Sequence, residues 1–484
     1  MSVLISGFDL SEADVVAVAR GRARVVVADG VGERLDAACQ TMDRALAAGT
    51  PVYCVSVGAG ASKDAPVDPS ARQRFEHLMI RNSMAGQGAP AAEDAVRGTL
   101  LVVVNLLAAG RSAARIETVQ RLVDALNGGD PLPRVPLVGS LGQADLAPLA
   151  HLMSGIVGDE PLRPGEAVAL TSTNAFSSTL ATLALHDADA FLTTLAATAG
   201  LAFEGFRANP SPLHPAVDDV RPFPGLMRAR CEMERALEGS RLHQTGAPRN
   251  LQDPLSFRNA APVLGAAHDA VDHARSQLAI ELNAHQSNPL VLPASDEIVA
   301  VANFEALPMA LALDYARLGM AAAITGAAER VVKLLQRSHS GLPSGLRHEP
   351  GAEQALEVFG HTAVALAGEA RLLAAPVSNE LPSTSLEDGI EDRMTFAPLG
   401  ARRLAEQTAL GLRIAALELI CAGEAIEIRR ARGETIDPLG AGAQDAFTLL
   451  RRHLPPVGPL GEIPTGLDPL LADLTSAALA VGCS

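Results

Sequence analysis

Apolar residues recur at helical spacing through most of this chain, which predicts a mainly α-helical protein. The later periodic segments are longer than ordinary globular helices and rich in Ala and Leu, and such lengths indicate a helical bundle. The segments with this spacing are 92–109, 112–127, 145–157, 176–202, 224–239, 259–285, 304–337, 352–374 and 398–431.

Shorter elements are predicted before these helices. Ser11 is a candidate cap for a helix over Glu12–Arg20, Ala23–Ala28 has a strand pattern, and Gly32–Ala48 is again helical. The stretch Ala59–Pro69 is rich in Gly, Ala, Pro and Asp and has no apolar period, which is typical of a loop. It is either a mobile lid or a plain connector.

The pattern divides the chain into three expected parts. Residues 1–175 are expected to form an N-terminal domain, 176–431 a central long-helix bundle, and 432–484 a C-terminal helical tail packed on the bundle. Within the bundle, the stretch Leu307–Ile324 is nearly all apolar. A helix that is apolar on most sides is buried centrally or in a subunit interface, so an oligomer is expected.

Composition narrows the class of protein. Of 484 residues, 48% are hydrophobic and 19% charged, as in soluble globular proteins. The net charge of −16 argues against nucleic acids and anionic membranes as partners. The longest uninterrupted apolar run, Leu100–Ala109, falls short of the roughly 20 residues that a membrane-spanning helix needs.

The cysteines and histidines predict neither a disulfide framework nor a metal site. The five cysteines are widely spread and form no C-x-x-C pair. No histidine pair at i, i+4 spacing has a carboxylate partner, so no metal is expected. With no signal peptide evident, a reducing cytoplasm is the expected location.

The stretch Val138–His151 carries the most informative motif, Val-Gly-Ser-Leu-Gly-Gln-Ala-Asp-Leu-Ala-Pro-Leu-Ala-His. It resembles G-S-V-G-A-S-G-D-L-A-P-L-x-H of the histidine/phenylalanine/tyrosine ammonia-lyase family, the aromatic amino acid lyases. In that family the Ala-Ser-Gly triplet cyclises into a methylidene-imidazolone electrophile. This chain is one residue shorter there and has no serine to supply the methylidene carbon, so no such cofactor is expected. The residues at that place are Gly142, Gln143, Ala144 and Asp145.

Further motifs extend the resemblance over essentially the whole chain. Tyr53–Gly60 is similar to Y-G-V-x-T-G-F-G, Gln252–Arg258 to Q-D-P-Y-S-L-R, and Ile390–Asp392 stands where Q-E-D-H is expected. The resemblance implies a mainly α fold of the ammonia-lyase (fumarase/aspartase-like) type with a central bundle of long helices. It also implies a homotetramer whose active sites draw on more than one subunit.

The resemblance assigns roles to four residues. Tyr53 matches the family's catalytic base, and since a phenol has a reference pKa near 10, a base near neutrality needs a depressed pKa. Arg258 matches the arginine that binds the substrate carboxylate, with Gln252 facing the same site. Glu391 matches a carboxylate that acts as a general base or holds a cationic group. The plain alternatives are a packed tyrosine, a structural ion pair, a loop brace and an acidic loop residue.

Other positions depart from the family pattern. Ser83 replaces the histidine of S-H-A, Leu255 the second tyrosine, Glu305 the histidine of N-F-H-G, and Arg393 the histidine of Q-E-D-H. The asparagine of N-G-T is replaced as well, with Ser172 at its place. The residues predicted to contact substrate in addition to Arg258 and Gln252 are Ser83, Asn288, Phe304 and Glu305.

Three functions stay open from the sequence. The first is a lyase for a carboxylate-bearing, amino-acid-like small molecule, in which Tyr53 removes a proton without the methylidene-imidazolone. Elimination, conjugate addition and cyclisation all fit this hypothesis. The second is a conventional ammonia-lyase or aminomutase, and the third is a catalytically silent binding or partner subunit.

Overall fold

The computed structural model describes residues 2–348, 355–379, 385–457 and 463–475. The chain forms two compact units, each built from separate stretches of sequence. Unit 1 comprises Met1–Leu183, Arg275–Leu313 and Pro376–Arg402, and unit 2 comprises Ala184–Ala274, Asp314–Ala375 and Arg403–Ser484. Parts of the predicted tail over 432–484 lie outside the described residues, as does the start of the predicted helix 352–374.

Helices dominate the fold, which confirms the predicted mainly α class. In chain order they are α1 Glu12–Ala19, α2 Val31–Ala47, α3 Arg72–Asn82, α4 Glu93–Ala108, α5 Ile116–Asn127, α6 Leu146–Val157, α7 Glu166–Thr171, α8 Ala175–Phe206, α9 Ala216–Val220, α10 Pro224–Ala236, α11 Leu255–Arg258, α12 Ala260–Glu281, α13 Leu307–Leu335, α14 Arg337–Ser340, α15 Glu357–Leu373, α16 Ala397–Ala431, α17 Ala441–His453 and α18 Asp468–Thr475.

The strands are short and pair in twos. Strands β1 and β2 are parallel, and the other two pairs, β3 with β4 and β5 with β6, are antiparallel. Their bounds are β1 Ser2–Ile5, β2 Arg24–Val27, β3 Gln87–Pro90, β4 Pro136–Val138, β5 Leu290–Leu292 and β6 Glu297–Val299.

The start of unit 1 follows the predicted elements. The Ser11 side chain accepts a hydrogen bond from the backbone N–H of Asp14, and the Asp14 side chain accepts one from the backbone N–H of Ser11. This reciprocal capping box satisfies two backbone donors that α1 would otherwise leave unpaired. Helix α4 is almost wholly buried, and its one amide, Asn105, donates to the carbonyl of Leu282 at 3.0 Å.

The core of unit 2 combines aromatic packing with a buried ion pair. Phe257 of α11 stacks on Phe206 with ring centroids 4.1 Å apart. The guanidinium of Arg330 donates through Nη2 to Glu418 at 3.2 Å, and both side chains are at most 2% exposed. The aromatic pair anchors the short α11, which ends at Arg258.

Helix α13 and the cysteines bear on two further expectations from the sequence. Among the described residues, α13 is long and apolar enough to cross a membrane, but 56% of its most apolar window is buried within the protein. Buried core helices of soluble proteins share that composition. Cys39, Cys54 and Cys421 are free thiols, whereas Cys231 is disulfide-bonded. The sequence predicted that the chain has no disulfide framework, and its cysteine spacing did not indicate the single bridged residue Cys231.

Candidate active site

Tyr53 lies in a turn of unit 1, half-buried against an apolar cluster that includes Val52 and Val55. Its phenol oxygen accepts a hydrogen bond from the backbone N–H of Gly60 at 3.1 Å. Burial, followed by the neighbouring Cys54, raises the pKa of Tyr53 to about 12, although the Gly60 N–H acts in the opposite direction. The depressed pKa expected for a base is therefore absent in this state, because burial outweighs the single backbone donor.

Two carboxylates of the 386–391 turn face the Tyr53 region. Glu387 accepts the backbone N–H of Ala61 at 3.0 Å. A backbone bridge between Leu386 and Glu391 closes the turn. Burial and the charge of Glu387 raise the pKa of Glu391, and Glu391 in turn is one of the charges that raise the pKa of Tyr53. The structure thus places Glu391 within electrostatic range of Tyr53.

The loop Gly142–Asp145 is tied down along its length. The carbonyl of Gly142 accepts from Thr395 Oγ1 at 2.7 Å, and the N–H of Ala144 donates to Asn174 Oδ1 at 3.1 Å. Gly142 has a φ of +74°, and a Cβ there would collide with Thr395 Oγ1, so only glycine fits this position.

Asp145 anchors the end of this loop. Its side chain is fully buried and accepts hydrogen bonds from the backbone N–H of Ser177 at 2.7 Å, Ser177 Oγ at 2.7 Å and Ser140 Oγ at 2.5 Å. Burial raises the pKa of the Asp145 carboxyl, while these donors lower it. Such a carboxyl group fixes the loop against α8 and is inaccessible to a substrate.

Three positions that depart from the family pattern are in contact with one another. Gln143 Nε2 donates to Glu305 Oε2 at 2.9 Å, and Arg393 Nε donates to the same oxygen at 3.4 Å. The second oxygen of Glu305 accepts the N–H of Leu307 at 3.1 Å, at the start of α13. These three departures therefore form one cluster, in which the glutamine of the shortened loop and the arginine share the Glu305 carboxylate.

A chain of amides connects the loop to the carboxylate of Glu281, to which the sequence assigned no role. Asn174 donates from Nδ2 to the carbonyl of Phe304 at 2.9 Å, and its N–H donates to Gln286 Oε1 at 2.8 Å. Gln286 Nε2 donates to Glu281 Oε2 at 3.0 Å. Burial first, and then the charge of Glu305, raises the pKa of Glu281 to about 7.

The segment Leu386–Phe396 connects these parts of unit 1. Glu387 contacts the backbone beside Gly60, Arg393 contacts Glu305, and the N–H groups of Thr395 and Phe396 donate to the carbonyl of Leu141 at 3.2 and 2.8 Å. We call it the connecting segment. The sequence singled out Glu391 and Arg393 of this segment but not the contacts of either, because nothing in the sequence indicates which distant loops a turn will meet.

Arg258 and Gln252 lie together in unit 2. They line a cavity of about 190 Å³ with Asn209, Ser211, Pro212, Leu251 and Asp253. Arg258 Nη1 donates to Gln252 Oε1, and the Arg258 Nε, although buried, has no partner. Within the described part of the chain Arg258 forms no ion pair, so its guanidinium is available to an anionic ligand. The Asp253 carboxylate already accepts a hydrogen bond from the backbone N–H of Asn209 at 2.6 Å.

Three further predicted substrate residues have structural partners. Ser83 Oγ donates to the carbonyl of Met79 at 2.8 Å, within the end of α3. Asn288 Oδ1 accepts the N–H of Val301 at 2.9 Å. Phe304 is half-buried, and its carbonyl accepts from Asn174, so it lies beside the shortened loop. A role of these three in substrate binding stays a prediction.

The described residues match neither the ligands that a metal needs nor the residues that form the family's electrophile. Within the described residues, no three His, Cys, Asp or Glu side chains are grouped as metal ligands. Histidine ammonia-lyases normally use the methylidene-imidazolone. That ring is made from the loop itself, yet Gly142–Asp145 contains no serine, and the Ala144 N–H and Gln143 amide are bonded elsewhere. The residues present do not fit its formation.

In comparison with known proteins, the chain is similar to histidine ammonia-lyases from different bacteria. The chain is 32% identical to a histidine ammonia-lyase of Symbiobacterium thermophilum over 94% of this chain and 93% of that protein. It is 30% identical to a histidine ammonia-lyase of Deinococcus radiodurans, covering 92% and 88%.

Among solved structures, the ergothioneine-degrading enzyme ergothionase from Treponema denticola, in complex with desmethyl-ergothioneine sulfonic acid, superposes with a TM-score of 0.91. It is 25% identical and covers 99% of both chains. Histidine ammonia-lyase from Trypanosoma cruzi has the same fold, with a TM-score of 0.86, 24% identity, and coverage of 99% and 93%. The family model for aromatic amino acid lyases matches residues 10–163 and 160–452. The chain therefore belongs to the aromatic amino acid lyase family.

Proposed function

We propose that this protein is a lyase that eliminates an amine from a carboxylate-bearing, imidazole-type amino acid derivative without a methylidene-imidazolone. The observation that carries the proposal is the Gly142–Asp145 loop, which lacks the serine and engages the Gln143 amide with Glu305. The substrate must then supply its own activation. The ergothionase relationship points to a trimethylammonium betaine of the ergothioneine type.

A quaternary ammonium suits such a site for two chemical reasons. In the elimination, the β C–H bond breaks and its proton passes to the Tyr53 phenolate oxygen. The released electron pair forms the C=C bond, and the C–N bond breaks as a neutral tertiary amine departs. That amine leaves as a neutral molecule at any pH, whereas a primary amine does so only while it is protonated and would otherwise have to leave as an amide anion. Covalent attachment of the nitrogen to an electrophile is therefore unnecessary.

The second reason concerns the proton affinity of Tyr53. With a pKa of about 12, only about one phenol in 10⁴ is ionised at pH 8. A permanent cation bound beside the phenol favours the phenolate and lowers that pKa. The bound substrate thereby lowers the pKa of Tyr53, which the protein alone leaves raised. Glu305 and Glu391, which lie with Tyr53 in unit 1, are the carboxylates proposed to hold the cationic group. Arg258, in the cavity of unit 2, is the candidate of that unit for binding a substrate carboxylate.

The alternative functions are distinguished by the amine that is released. A conventional ammonia-lyase, which the histidine ammonia-lyase relatives favour, would liberate ammonia from histidine. A silent binding subunit would release nothing. A proposed homotetramer accords with the exposed apolar side chains of Val364 and Leu372 on α15, which are 53% and 77% exposed, and light scattering would measure it.

The test uses three substrates that differ by one group at a time: histidine, its Nα-trimethyl betaine, and ergothioneine. Wild-type protein should release trimethylamine from one or both betaines and no ammonia from histidine, as measured by mass spectrometry. Tyr53→Phe should reduce turnover by about 10²–10⁴-fold, the usual worth of a positioned base. Ammonia from histidine at a comparable rate would refute the proposal, and no release from any of the three would favour the binding subunit.

A further inference from the structure

The backbone around Gly60 forms a short loop over the Tyr53 phenol. We call residues 59–63 the phenol loop. It contains the 3₁₀ turn Gly60–Ser62, whose first N–H donates to the Tyr53 hydroxyl at 3.1 Å. The next N–H, of Ala61, donates instead to Glu387 at 3.0 Å. Successive donors of one turn thus bond to the candidate base and to a carboxylate far away in sequence.

The contact between Glu387 and the phenol loop depends on a close approach and on unusual backbone angles. Gly60 has a φ of +53°, and a Cβ there would collide with the Glu387 carboxylate, so the close approach requires glycine. Glu387 and Asp388 have φ values of +51° and +56°, which non-glycine residues adopt at a cost of order 1–3 kcal/mol. Such strain persists where surrounding contacts impose it, and here the Glu387 side chain meets the phenol loop.

We propose that Glu387 is a positioning residue that clasps the phenol loop over Tyr53, and this rests on the proposed role of Tyr53 as the base. Among the described residues, the phenol is hydrogen-bonded to Gly60 and Glu387 to Ala61. Glu387 acts through Ala61, whose neighbour Gly60 donates to the phenol oxygen, and through the turn that also carries Glu391. The clasp keeps Tyr53 shielded from water and keeps one backbone donor on its oxygen.

The expected effect of releasing the clasp has a definite sign. Burial is the largest cause of the raised pKa of Tyr53, and the Gly60 N–H is a smaller, opposite one. An open loop removes both, so hydration dominates and the pKa falls from about 12 toward the ordinary value of 10.

The chain offers an unusually clean probe of loop opening, since its only lysines are Lys63 and Lys333. Lys63 lies in the phenol loop, whereas Lys333 lies within α13. The rate at which a lysine-specific endoprotease cleaves after Lys63 therefore measures how often the phenol loop opens. Glu387→Ala should be cleaved at Lys63 about tenfold faster than wild type, because one hydrogen bond to a charged acceptor is worth about 1.5–3 kcal/mol.

Matched variants separate the acceptor from its charge. Glu387→Gln keeps an acceptor for the Ala61 N–H and should be cleaved at nearly the wild-type rate. Asp388→Asn removes a neighbouring exposed charge and should also match wild type. Glu387→Asp shortens the reach with little risk to folding and should be cleaved faster. Equal cleavage of Glu387→Ala, Glu387→Asp and Asp388→Asn would overturn the proposal.

The phenol itself provides a second readout. The chain has two tyrosines and no tryptophan, so Tyr315→Phe leaves Tyr53 as the single phenol. With 3-fluorotyrosine incorporated, its fluorine NMR resonance should titrate at least ~1 pH unit lower in Glu387→Ala than in the Tyr315→Phe parent. An unchanged titration would contradict the clasp. Both readouts are independent of turnover, so they succeed or fail separately from the proposed reaction.

Discussion

The Gly142–Asp145 loop and the Arg258 cavity are both polar regions, but they differ in how far their polar groups are already bonded within the chain. In the loop, the Ala144 N–H, the Gly142 carbonyl and the Asp145 carboxyl all have partners. In the cavity, the Arg258 guanidinium donates a hydrogen bond to Gln252, and its Nε has no partner. A buried donor without a partner is costly. The loop is therefore a closed structural element, whereas the cavity is suited to a ligand.

Asp145→Ala is expected to have the largest effect, because it removes the acceptor that holds the end of the loop. The variant leaves the N–H and hydroxyl of Ser177 and the hydroxyl of Ser140 without their shared acceptor in a fully buried site. We expect the free energy of unfolding to fall by about 3–5 kcal/mol, measured by urea denaturation. Asp145→Asn, which keeps one acceptor, should cost less. A loss below about 1 kcal/mol for Asp145→Ala would mean that the loop is not held at this point.

The stability of the loop region is expected to depend on pH through Glu281, whose carboxyl ends the amide chain that begins at the loop. Its folded pKa of about 7 lies above the ordinary 4.5, so between these values the folded state keeps a proton that the unfolded state releases. The free energy of unfolding therefore decreases as pH rises from about 4.5 to 7, by up to about 3 kcal/mol from this group. Glu281→Gln should flatten that slope in denaturation series, and Glu33→Gln on the exposed surface of α2 should not. An unaltered slope in Glu281→Gln would show that the group is ionised throughout.

The smallest expected effect concerns the cavity. In a Tyr53→Phe background, where substrate binds without turnover, Arg258→Ala should weaken binding of the ergothioneine-type betaine about 30-fold, or about 2 kcal/mol. Arg258→Lys should recover little, because an ammonium lacks the planar fork. Stability should change by less than about 0.5 kcal/mol, since Phe257 rather than Arg258 anchors α11. Calorimetry that finds equal affinity in Arg258→Ala would assign Arg258 a purely structural role.

Much of the helical framework could be predicted from the sequence. The predicted segment 398–431 corresponds to Ala397–Ala431 and the predicted 304–337 to Leu307–Leu335, because long apolar periods constrain a helix strongly. Ser11 was recognised as a cap from its side chain alone, since capping is a local property. The three-part division of the chain stays a prediction.

The site could be predicted only residue by residue. Gln143, Glu305 and Arg393 were recognised as separate departures, but their mutual contact depends on chain segments that meet only in the fold. Asn174 was passed over in favour of Ser172, two positions earlier, although Asn174 bonds the shortened loop. The raised pKa of Tyr53 was also beyond the sequence, because it follows from burial, which a motif does not specify.

The connecting segment has a consequence for protein engineering. Thr395 Oγ1 donates to the carbonyl of Gly142 and occupies the space where a Cβ at position 142 would lie, while Arg393 shares Glu305 with Gln143. An Ala-Ser-Gly triplet introduced into the shortened loop would thus collide with a neighbouring segment that packs closely against the present loop. Building the family's ring here would therefore require changes in both stretches at once, because the loop and the connecting segment are fitted to each other.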